Sequence, residues 1–300
     1  MNVFRGLSAF PLTPADADGR VDTDAVKKLI SRLSGGGVDS IGLLGSTGSY
    51  AYLSRDERRR ALDAALEEAS PGIPVMAGVA ALRTSDAVKL AKDAKDAGAK
   101  AGLLSAMAYL PLTQDEMFAH FEAVAGESGL PLCIYDNPGV TNFRFGDELL
   151  QRLAEVPGVE AIKNPTSTPE AIGAHLAHQR ALLPQGFSIG YSGDWNCPQA
   201  MIAGGDAWYS VLAGILPRPC QQIIDAVRAG DHAEAERIDI ALQPIWRLFR
   251  DHTSFRVVHE MASQLAGLTV EPPRPVLPVS AAAKDEIATA LRALPEDMLA

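Results

Sequence analysis

Cysteine, long apolar runs and positive charge are all scarce in this sequence of 300 residues. The three cysteines, Cys133, Cys197 and Cys220, form no Cys-x-x-Cys pair and are odd in number, which indicates a reducing compartment without a disulfide framework. The longest apolar run, residues 101–112, is interrupted by Ser105 and is well short of the ~20 residues of a membrane span. The amino terminus lacks the basic region and apolar core of a signal peptide. We therefore expect a soluble, cytoplasmic protein.

Basic residues are outnumbered by acidic ones. The sequence has 27 Lys and Arg against 37 Asp and Glu, a formal net charge of −10. A protein that follows the phosphates of a nucleic acid needs the opposite sign, so nucleic acid is not an expected partner. Aromatic residues make up only 6% of a chain that is 47% hydrophobic. This composition is typical of a helix-rich α/β enzyme rather than of a β-sandwich.

Short apolar runs alternate with amphipathic stretches along most of the chain. The runs are mostly apolar throughout, as expected of parallel strands that are buried on both faces. They comprise residues 7–12, 40–44, 74–79, 101–106, 131–135, 159–163, 187–191 and 207–212. Eight strand–helix units within about 220 residues predict a closed (β/α)8 TIM barrel. A doubly wound sheet with a second domain is the alternative, but no linker or change of composition divides the units.

The helical segments include a carboxyl-terminal group beyond the eight units. We expect residues 1–230 to form the barrel and residues 231–300 to form a C-terminal helical appendage packed on it, with helices at 231–250, 254–266 and 280–293. This division treats the chain as one structural unit with an extension.

Cap signals mark three predicted helix starts within the barrel. Ser54 and Glu57 have the spacing of a capping box, which would open a helix that runs to Ala69. Thr84 and Thr113 are the predicted N-caps of the next two helices.

Polar residues that follow the apolar runs are the candidates for chemistry, because barrel active sites lie at the carboxyl ends of the strands. The second run leads into Gly45-Ser46-Thr47-Gly48-Ser49. Two glycines allow a tight turn, and hydroxyls beside free N–H groups can hold a small carboxylate. An ordinary glycine-rich turn is the alternative. The segment is not a phosphate-binding loop, because no lysine follows the second glycine.

The fifth and sixth runs end in Tyr135-Asp136-Asn137-Pro138 and in Lys163. Burial disfavours a charged ammonium, which is one condition for a nucleophilic amine that forms a Schiff base with a carbonyl compound. The alternatives are a lysine that snorkels to solvent or pairs with a carboxylate and, for Tyr135, a core residue whose hydroxyl is satisfied. None of the other runs ends in lysine.

Other polar features favour simpler roles. Asp194, after the seventh run, is expected to cap the following helix. The six histidines fall in predicted helices, and His175 and His178 are most simply a solvated helix face, so we predict no metal site. The sequence has no Gly-x-Ser-x-Gly elbow between a strand and a helix, which argues against Ser-His-Asp hydrolysis.

Together these features resemble the dihydrodipicolinate synthase/N-acetylneuraminate lyase family of class I pyruvate-type aldolases, over nearly the whole chain. Gly45-Ser46-Thr47-Gly48 is similar to the family's G-[ST]-T-G turn after the second strand. Tyr135-Asp136-Asn137-Pro138 is similar to its Y-N-x-P motif, and Ala161-Ile162-Lys163 to its G-[IV]-K motif. The three motifs occur in the family order and on the expected strands.

The resemblance implies a lyase that uses no cofactor beyond a covalent imine to Lys163. It implies that Tyr135 carries protons during imine formation and carbon–carbon cleavage, and that Thr47 relays them. Tyr109, in Ala108-Tyr109-Leu110-Pro111, matches the tyrosine that family members reach across a subunit interface. The implied assembly is a homotetramer, a dimer of dimers.

The resemblance also implies a site for a small 2-keto acid. Ser46 and Thr47 would bind its carboxylate through hydroxyl and backbone N–H groups. Gly193 and Tyr209 fall where the family lines this pocket with backbone carbonyls.

Departures from the family pattern narrow the range of expected substrates. Synthases of lysine biosynthesis carry an arginine in P-x-R-T-G that pairs with the carboxylate of the aldehyde partner, and Val140 stands in its place here. Arg144, four residues further on, could replace it. Ser49 replaces the usual glutamate, and Asp136 the usual asparagine. These changes favour sugar-acid aldolases and dehydratases over the synthase.

The leading hypothesis is a Schiff-base lyase that acts on pyruvate or a 2-keto-3-deoxy acid. A catalytically silent barrel that senses a keto acid is the runner-up, and it would need the pocket without the proton relay. A synthase of lysine biosynthesis with a substitute cation and a metal-dependent aldolase are the remaining alternatives.

Overall fold

Eight short parallel strands pair side by side and close on themselves in a computed structural model that describes residues 2–299. Each strand pairs with the next along the chain, and the last pairs with the first. The strands are β1 (Gly6–Ala9), β2 (Ser40–Leu43), β3 (Val75–Gly78), β4 (Ala101–Ser105), β5 (Leu132–Tyr135), β6 (Val159–Pro165), β7 (Ser188–Ser192) and β8 (Ala207–Ser210). The predicted (β/α)8 barrel is therefore confirmed.

The strands form because their residues can be buried on both faces. Every residue of β3 and β4 is buried, since inner side chains fill the barrel and outer ones pack under the helices. The first predicted run, 7–12, is shorter as a strand, because β1 ends at Ala9. All eight runs nevertheless contain a strand in the predicted order.

Helices surround the barrel and continue beyond it. They are α1 (Thr23–Gly35), α2 (Arg55–Glu68), α3 (Thr84–Ala97), α4 (Gln114–Ser128), α5 (Pro138–Thr141), α6 (Asp147–Ala154), α7 (Pro169–Leu182), α8 (Cys197–Ile202), α9 (Pro217–Arg228), α10 (His232–His252), α11 (Ser254–Ala266), α12 (Ala281–Arg292) and α13 (Glu296–Leu299). Short 3₁₀ turns occupy Tyr50–Tyr52, Asp194–Asn196 and Leu212–Gly214.

The predicted helix caps have mixed outcomes. Thr113 caps α4 with a complete capping box, as predicted. Ser54 caps α2 by accepting from the Glu57 N–H at 3.2 Å, but the Glu57 carboxylate accepts from the Val21 N–H at 2.7 Å instead of closing the box. The prediction for Thr84 is wrong by one residue, because Thr84 is already the first residue of α3. At α2 the Glu57 carboxylate therefore bonds to Val21, in a loop distant in sequence, and not to the backbone of the neighbouring Ser54.

The carboxyl-terminal helices reach the end of the barrel where the strands finish. Helix α10 packs against α8, α9 and the 3₁₀ turn Asp194–Asn196, which follows β7. At the junction of α10 and α11, Thr253 adopts a φ of 68°, which is uncommon for a β-branched residue. The division of the chain at residue 230 stays a prediction. Within residues 2–299, no helix combines the length and the apolar character that crossing a membrane would require.

Candidate active site

A cavity of about 270 Å³ opens at the carboxyl ends of the strands. Its walls come from the strand ends, the turns that follow them and the junction of α10 and α11. Six residues that the sequence singled out line it, namely Ser46, Thr47, Tyr135, Lys163, Gly193 and Tyr209. A second cavity, of about 320 Å³, lies between the β1–α1 loop and the Pro-rich segment 272–273, and of the motif residues only Ser49 lines it. The strand-end cavity is therefore the candidate active site.

Lys163 lies on β6 with its side chain buried in this cavity; only 6% of the residue is exposed. Its Nζ donates to Ser192 Oγ at 2.8 Å and stands 4.0 Å from the centre of the Tyr135 ring and 5.7 Å from that of Phe10. It forms no ion pair with a carboxylate of residues 2–299. Lys163 thus neither snorkels to solvent nor pairs with an acid, and its amine faces the cavity.

Tyr135 ends β5 in direct register with Lys163 on β6. Its hydroxyl accepts from Asn137 Nδ2 at 2.9 Å and lies 3.3 Å from Ser46 Oγ. Burial alone would raise the pKa of the Tyr135 phenol, but the positive charge of Lys163 and the hydrogen bonds from Ser46 and Asn137 outweigh it, so the pKa is lowered. The Tyr135 phenol can therefore release and take up a proton close to the Lys163 amine.

Ser46 and Thr47, in the turn after β2, present their hydroxyls differently. Ser46 Oγ contacts the Tyr135 hydroxyl, whereas the Thr47 hydroxyl has no hydrogen-bond partner within the described chain and lines the cavity. Gly48 is needed here because a Cβ would lie 3.0 Å from the Leu44 backbone. The resemblance assigned the proton relay to Thr47, but the contact with the phenol is made by Ser46.

Gly193 follows β7, and Tyr209 lies on the neighbouring strand, β8. Gly193 has a φ of 97°, and its carbonyl accepts from Thr166 Oγ1 at 3.1 Å. Tyr209 is fully buried and packs edge-to-face on Phe10, with ring centres 5.8 Å apart. Its hydroxyl lies 3.6 Å from Cys133 Sγ, and burial raises its pKa. Both residues line the cavity, and their role in binding stays a prediction.

Asp194 does not cap the helix that follows it, which corrects the sequence prediction. Its carboxylate accepts from Trp208 Nε1 at 2.8 Å and from the Leu212 N–H at 2.7 Å. Burial raises the pKa of Asp194 to about 6. The residue therefore joins β8 and the turn after it to the cavity wall instead of stabilising a helix terminus.

Tyr109 lies apart from these groups. It is 91% exposed in the single chain and does not line the cavity. Val140, on α5, lies at the cavity edge and is 63% exposed. Arg144 is exposed and is not among the lining residues.

Asp136 is a buried carboxyl group beside the site. Within the described chain its Oδ1 has no hydrogen-bond partner. Burial raises the pKa of Asp136 to about 6, although the positive charges of Arg144 and Lys163 act in the opposite direction. An asparagine, the residue usual in the related motif, would carry no charge at this position.

Replacing Asp136 with asparagine should make the protein more stable at high pH. The pKa of about 6 in the folded state lies above the ~3.9 of an unfolded chain. The folded state therefore holds more protons between these values, and stability is lost as the pH rises from about 4 to 6. We expect Asp136→Asn to raise the free energy of unfolding by about 1–2 kcal/mol at pH 8 and to change it little at pH 4.

Urea denaturation at the two pH values measures this effect. Asp251→Asn, which removes an exposed carboxylate, is the matched control and should change neither value appreciably. If Asp136→Asn raised the free energy of unfolding equally at pH 4 and pH 8, Asp136 would not be a buried carboxyl group with a raised pKa.

Several lining residues received no role from the sequence. Ser192, which holds Lys163, ends β7, and its position at a strand end could have identified it. Phe249, Thr253 and Phe255 come from α10, α11 and their junction, and no motif marked them. They reach the cavity only because the appendage folds over the strand ends.

The histidines lie in helices, as predicted. His178 is exposed and bonds to Asp147, but His175 is half-buried and lies 3.0 Å from the Tyr191 hydroxyl, so the two do not form one solvated face. Across residues 2–299, no group of three or more His, Cys, Asp or Glu side chains is arranged to hold a metal ion.

Comparison with known proteins adds a family match. Residues 3–294 match the model of the dihydrodipicolinate synthetase family. The chain is 34% identical over 285 residues to 4-hydroxy-tetrahydrodipicolinate synthase of Methylococcus capsulatus, covering 93% of this chain and 95% of the relative. It is also 34% identical to the Bacillus subtilis protein of the same name, covering 92% and 94%.

Solved structures agree with this match. A crystal structure described as dihydrodipicolinate synthase from Agrobacterium tumefaciens is 52% identical, with a TM-score of 0.95 over 97% of this chain and 98% of that one. A putative dihydrodipicolinate synthetase from Pseudomonas aeruginosa is 28% identical, with a TM-score of 0.88 over 97% and 99%.

Proposed function

The chain belongs to the dihydrodipicolinate synthetase family, and on that premise we propose that it is a Schiff-base lyase acting on pyruvate or a 2-keto-3-deoxy acid. One observation carries the proposal. The buried amine of Lys163 has no carboxylate partner, and it stands 4.0 Å from the ring of a tyrosine whose hydroxyl bonds to the hydroxyl-rich turn. These are an amine nucleophile, a proton carrier and a carboxylate-binding turn in one cavity.

In the first stage, an uncharged Lys163 Nζ attacks the keto carbon of the substrate. The addition product loses its former carbonyl oxygen as water and becomes a protonated imine. Tyr135 passes one proton from the amine nitrogen to the former carbonyl oxygen and then gives its own phenol proton to complete the water that leaves, so it ends this stage as phenolate. Ser46, in contact with the phenol, extends the proton relay from Tyr135 to the turn after β2.

In the second stage, the protonated imine draws electrons from the neighbouring carbon. Tyr135, as phenolate, takes the proton of the hydroxyl on carbon 4, the bond between carbons 3 and 4 breaks, and an aldehyde leaves. Carbon 3 of the resulting enamine then takes a proton, and water hydrolyses the imine to release pyruvate and free Lys163. Run in reverse, the same steps condense pyruvate with an aldehyde.

The substrate carboxylate requires a local positive potential in a chain of net charge −10. The open hydroxyl of Thr47 and the backbone N–H groups of the turn after β2 supply it without a further cation. We therefore assign Thr47 to carboxylate binding and Ser46 to the proton relay.

Tyr109 is proposed to act in the neighbouring subunit of a homotetramer. Its 91% exposure leaves it free to enter another copy's site. We expect Tyr109→Phe to lower kcat by about 10- to 100-fold because a relay hydroxyl is lost, while light scattering shows an unchanged oligomer. Tyr52→Phe removes another exposed tyrosine hydroxyl and serves as the control. A fully active monomer would contradict this role.

Borohydride reduction in the presence of pyruvate tests the proposed function. We expect intact mass to rise by one reduced pyruvyl group and peptide mapping to locate it on Lys163. Turnover of pyruvate–aldehyde adducts should accompany trapping and should be insensitive to chelators. An unmodified Lys163 across a panel of keto acids would refute the proposal, and keto-acid binding without turnover would favour the silent sensor.

A further inference from the structure

The segments that follow the strands give the cavity an apolar outer wall. We define this outer wall as Val140, Trp195, Val211, Phe249 and Phe255. They come from α5, from the turns after β7 and β8, and from α10 and α11. Trp195 lies against Gly193, where an added Cβ would be 3.6 Å from its six-membered ring. The part of a substrate that extends beyond the imine therefore meets aromatic and aliphatic side chains.

Among the described residues that line the cavity, none offers a free cation to a second carboxylate. Of its lining residues only Lys163 and Asp194 are charged. Lys163 is used by the imine, and Asp194 is bonded to β8 and the turn after it. Arg256, on α11, donates to Thr253 Oγ1 at 3.2 Å and to the Leu277 carbonyl at 3.1 Å. A carboxylate carried into the outer wall would lose its water without gaining a charge partner.

Among the described residues, the outer part of the cavity offers few polar groups beside its apolar side chains. Asn137 gives one amide N–H to Tyr135, and Thr253 Oγ1 accepts from Arg256. The Ser254 hydroxyl and the Trp195 indole N–H have no hydrogen bond to the described chain. These groups can satisfy the hydroxyl at carbon 4, whereas an aromatic ring beyond it needs none of them.

Resting on the function proposed above, we infer that the carbonyl partner of this enzyme is an aldehyde with an uncharged, aromatic side group. Its substrate in the cleavage direction is then a 4-hydroxy-2-keto acid that bears an aromatic ring on carbon 4. The ring contacts the outer wall, where flat aromatic faces pack well, and the keto-acid end lies at Lys163 and the turn after β2. The cavity of about 270 Å³ is near the lower limit of small-molecule sites, which suits one ring and a three-carbon keto acid.

The experiment compares three aldehydes in condensation with pyruvate: benzaldehyde, succinic semialdehyde, which carries a carboxylate, and glyceraldehyde, which carries hydroxyls. We expect kcat/KM for benzaldehyde to exceed that for either of the others by about tenfold or more. Val140→Arg should shift the ratio between succinic semialdehyde and benzaldehyde by about tenfold towards the acid, because Val140 is exposed at the cavity edge and the new guanidinium can pair with the carboxylate.

Val140→Met is the matched control for charge, because it lengthens the side chain without adding a cation and should not shift the ratio towards succinic semialdehyde. Trp195→Phe and Trp195→Ala test the outer wall itself; the alanine variant should lose the preference for benzaldehyde and the phenylalanine variant should retain most of it. A wild-type enzyme that prefers succinic semialdehyde or glyceraldehyde would overturn the inference.

Borohydride trapping with pyruvate alone distinguishes a failure of the inference about the aldehyde from a failure of the proposed lyase function. If Lys163 is trapped but benzaldehyde is not preferred, the inference about the aldehyde fails and the proposed lyase function stands. If Lys163 is not trapped, the proposed function fails, and the inference fails with it.

Discussion

Lys163→Met is expected to abolish turnover, with a fall in kcat of at least about ten-thousand-fold. The variant removes the amine that forms the imine, so no other group in the cavity can withdraw electrons from carbon 3. Methionine has a similar length and is apolar, and it can occupy the space between the rings of Tyr135 and Phe10 that the lysine stem fills. The loss should therefore come from chemistry rather than from unfolding.

Steady-state kinetics and borohydride trapping measure this effect together. Lys92→Met is the matched control, since Lys92 forms only an exposed ion pair with Glu127 and should be fully active. Circular dichroism should give the same spectrum for both variants. A Lys163→Met enzyme that still acquires a reduced pyruvyl group would show that another amine forms the imine.

Tyr135→Phe is expected to lower kcat/KM by about 10²- to 10⁴-fold, the usual contribution of a general acid–base group. The ring, and with it the packing against Lys163, remains in place, so pyruvate should still be trapped on Lys163, only more slowly. The variant therefore separates proton transfer by the phenol from the electron-withdrawing role of the imine.

The pH profile gives a second measurement of the same residue. The pKa of Tyr135 is lowered by the charge of Lys163 and by hydrogen bonds, which together outweigh burial. Because the protonated phenol must assist loss of water, activity should decline at high pH, at a lower pH than an ordinary phenol would give. Tyr135→Phe should lack that decline.

Tyr191→Phe is the control for this experiment. Tyr191 is also a buried strand tyrosine, but its hydroxyl bonds to His175 and it does not line the cavity. We expect its turnover to stay close to that of the wild type. A Tyr135→Phe enzyme with turnover within about threefold of the wild type would exclude the phenol as the proton carrier, since acid–base groups contribute far more.

Relatives of this chain are named 4-hydroxy-tetrahydrodipicolinate synthase. The aldehyde partner is therefore the most informative point on which to compare this chain with them. Among the described residues that line the cavity, only Lys163 and Asp194 are charged, and Arg144 is not a lining residue. On the function and the inference proposed above, separate parts of the cavity decide the family chemistry and the choice of aldehyde: the strand ends the first and the outer wall the second.

Local features were enough to predict the barrel and to single out the candidate nucleophile. A strand that is buried on both faces needs a continuous apolar run, so eight such runs predicted eight strands. A lysine at the end of one run is unusual because burial disfavours its charge, so Lys163 could be identified without a structure. The register that sets Tyr135 beside Lys163 follows from the order of β5 and β6.

Pairings between distant segments could not be predicted in the same way. Ser46 and Thr47 are adjacent and chemically alike, and only the course of the turn after β2 decides that Ser46 meets Tyr135. Asp194 resembled a helix cap, but its carboxylate accepts hydrogen bonds from the Trp208 indole N–H and the Leu212 backbone N–H, which lie on and after β8.

The sequence by itself therefore determined the barrel and singled out Lys163 and the hydroxyl-rich turn. It could do so because the polarity of each residue, and hence its tendency to be buried, is a local property of the sequence. Only the tertiary structure decided which hydroxyl contacts the Tyr135 phenol and which side chains line the outer part of the cavity. Phe249 and Phe255 are more than eighty residues from Lys163 in the chain, and they line its cavity only because the junction of α10 and α11 folds across the strand ends. Contacts of that range depend on the whole fold, so no local pattern can encode them.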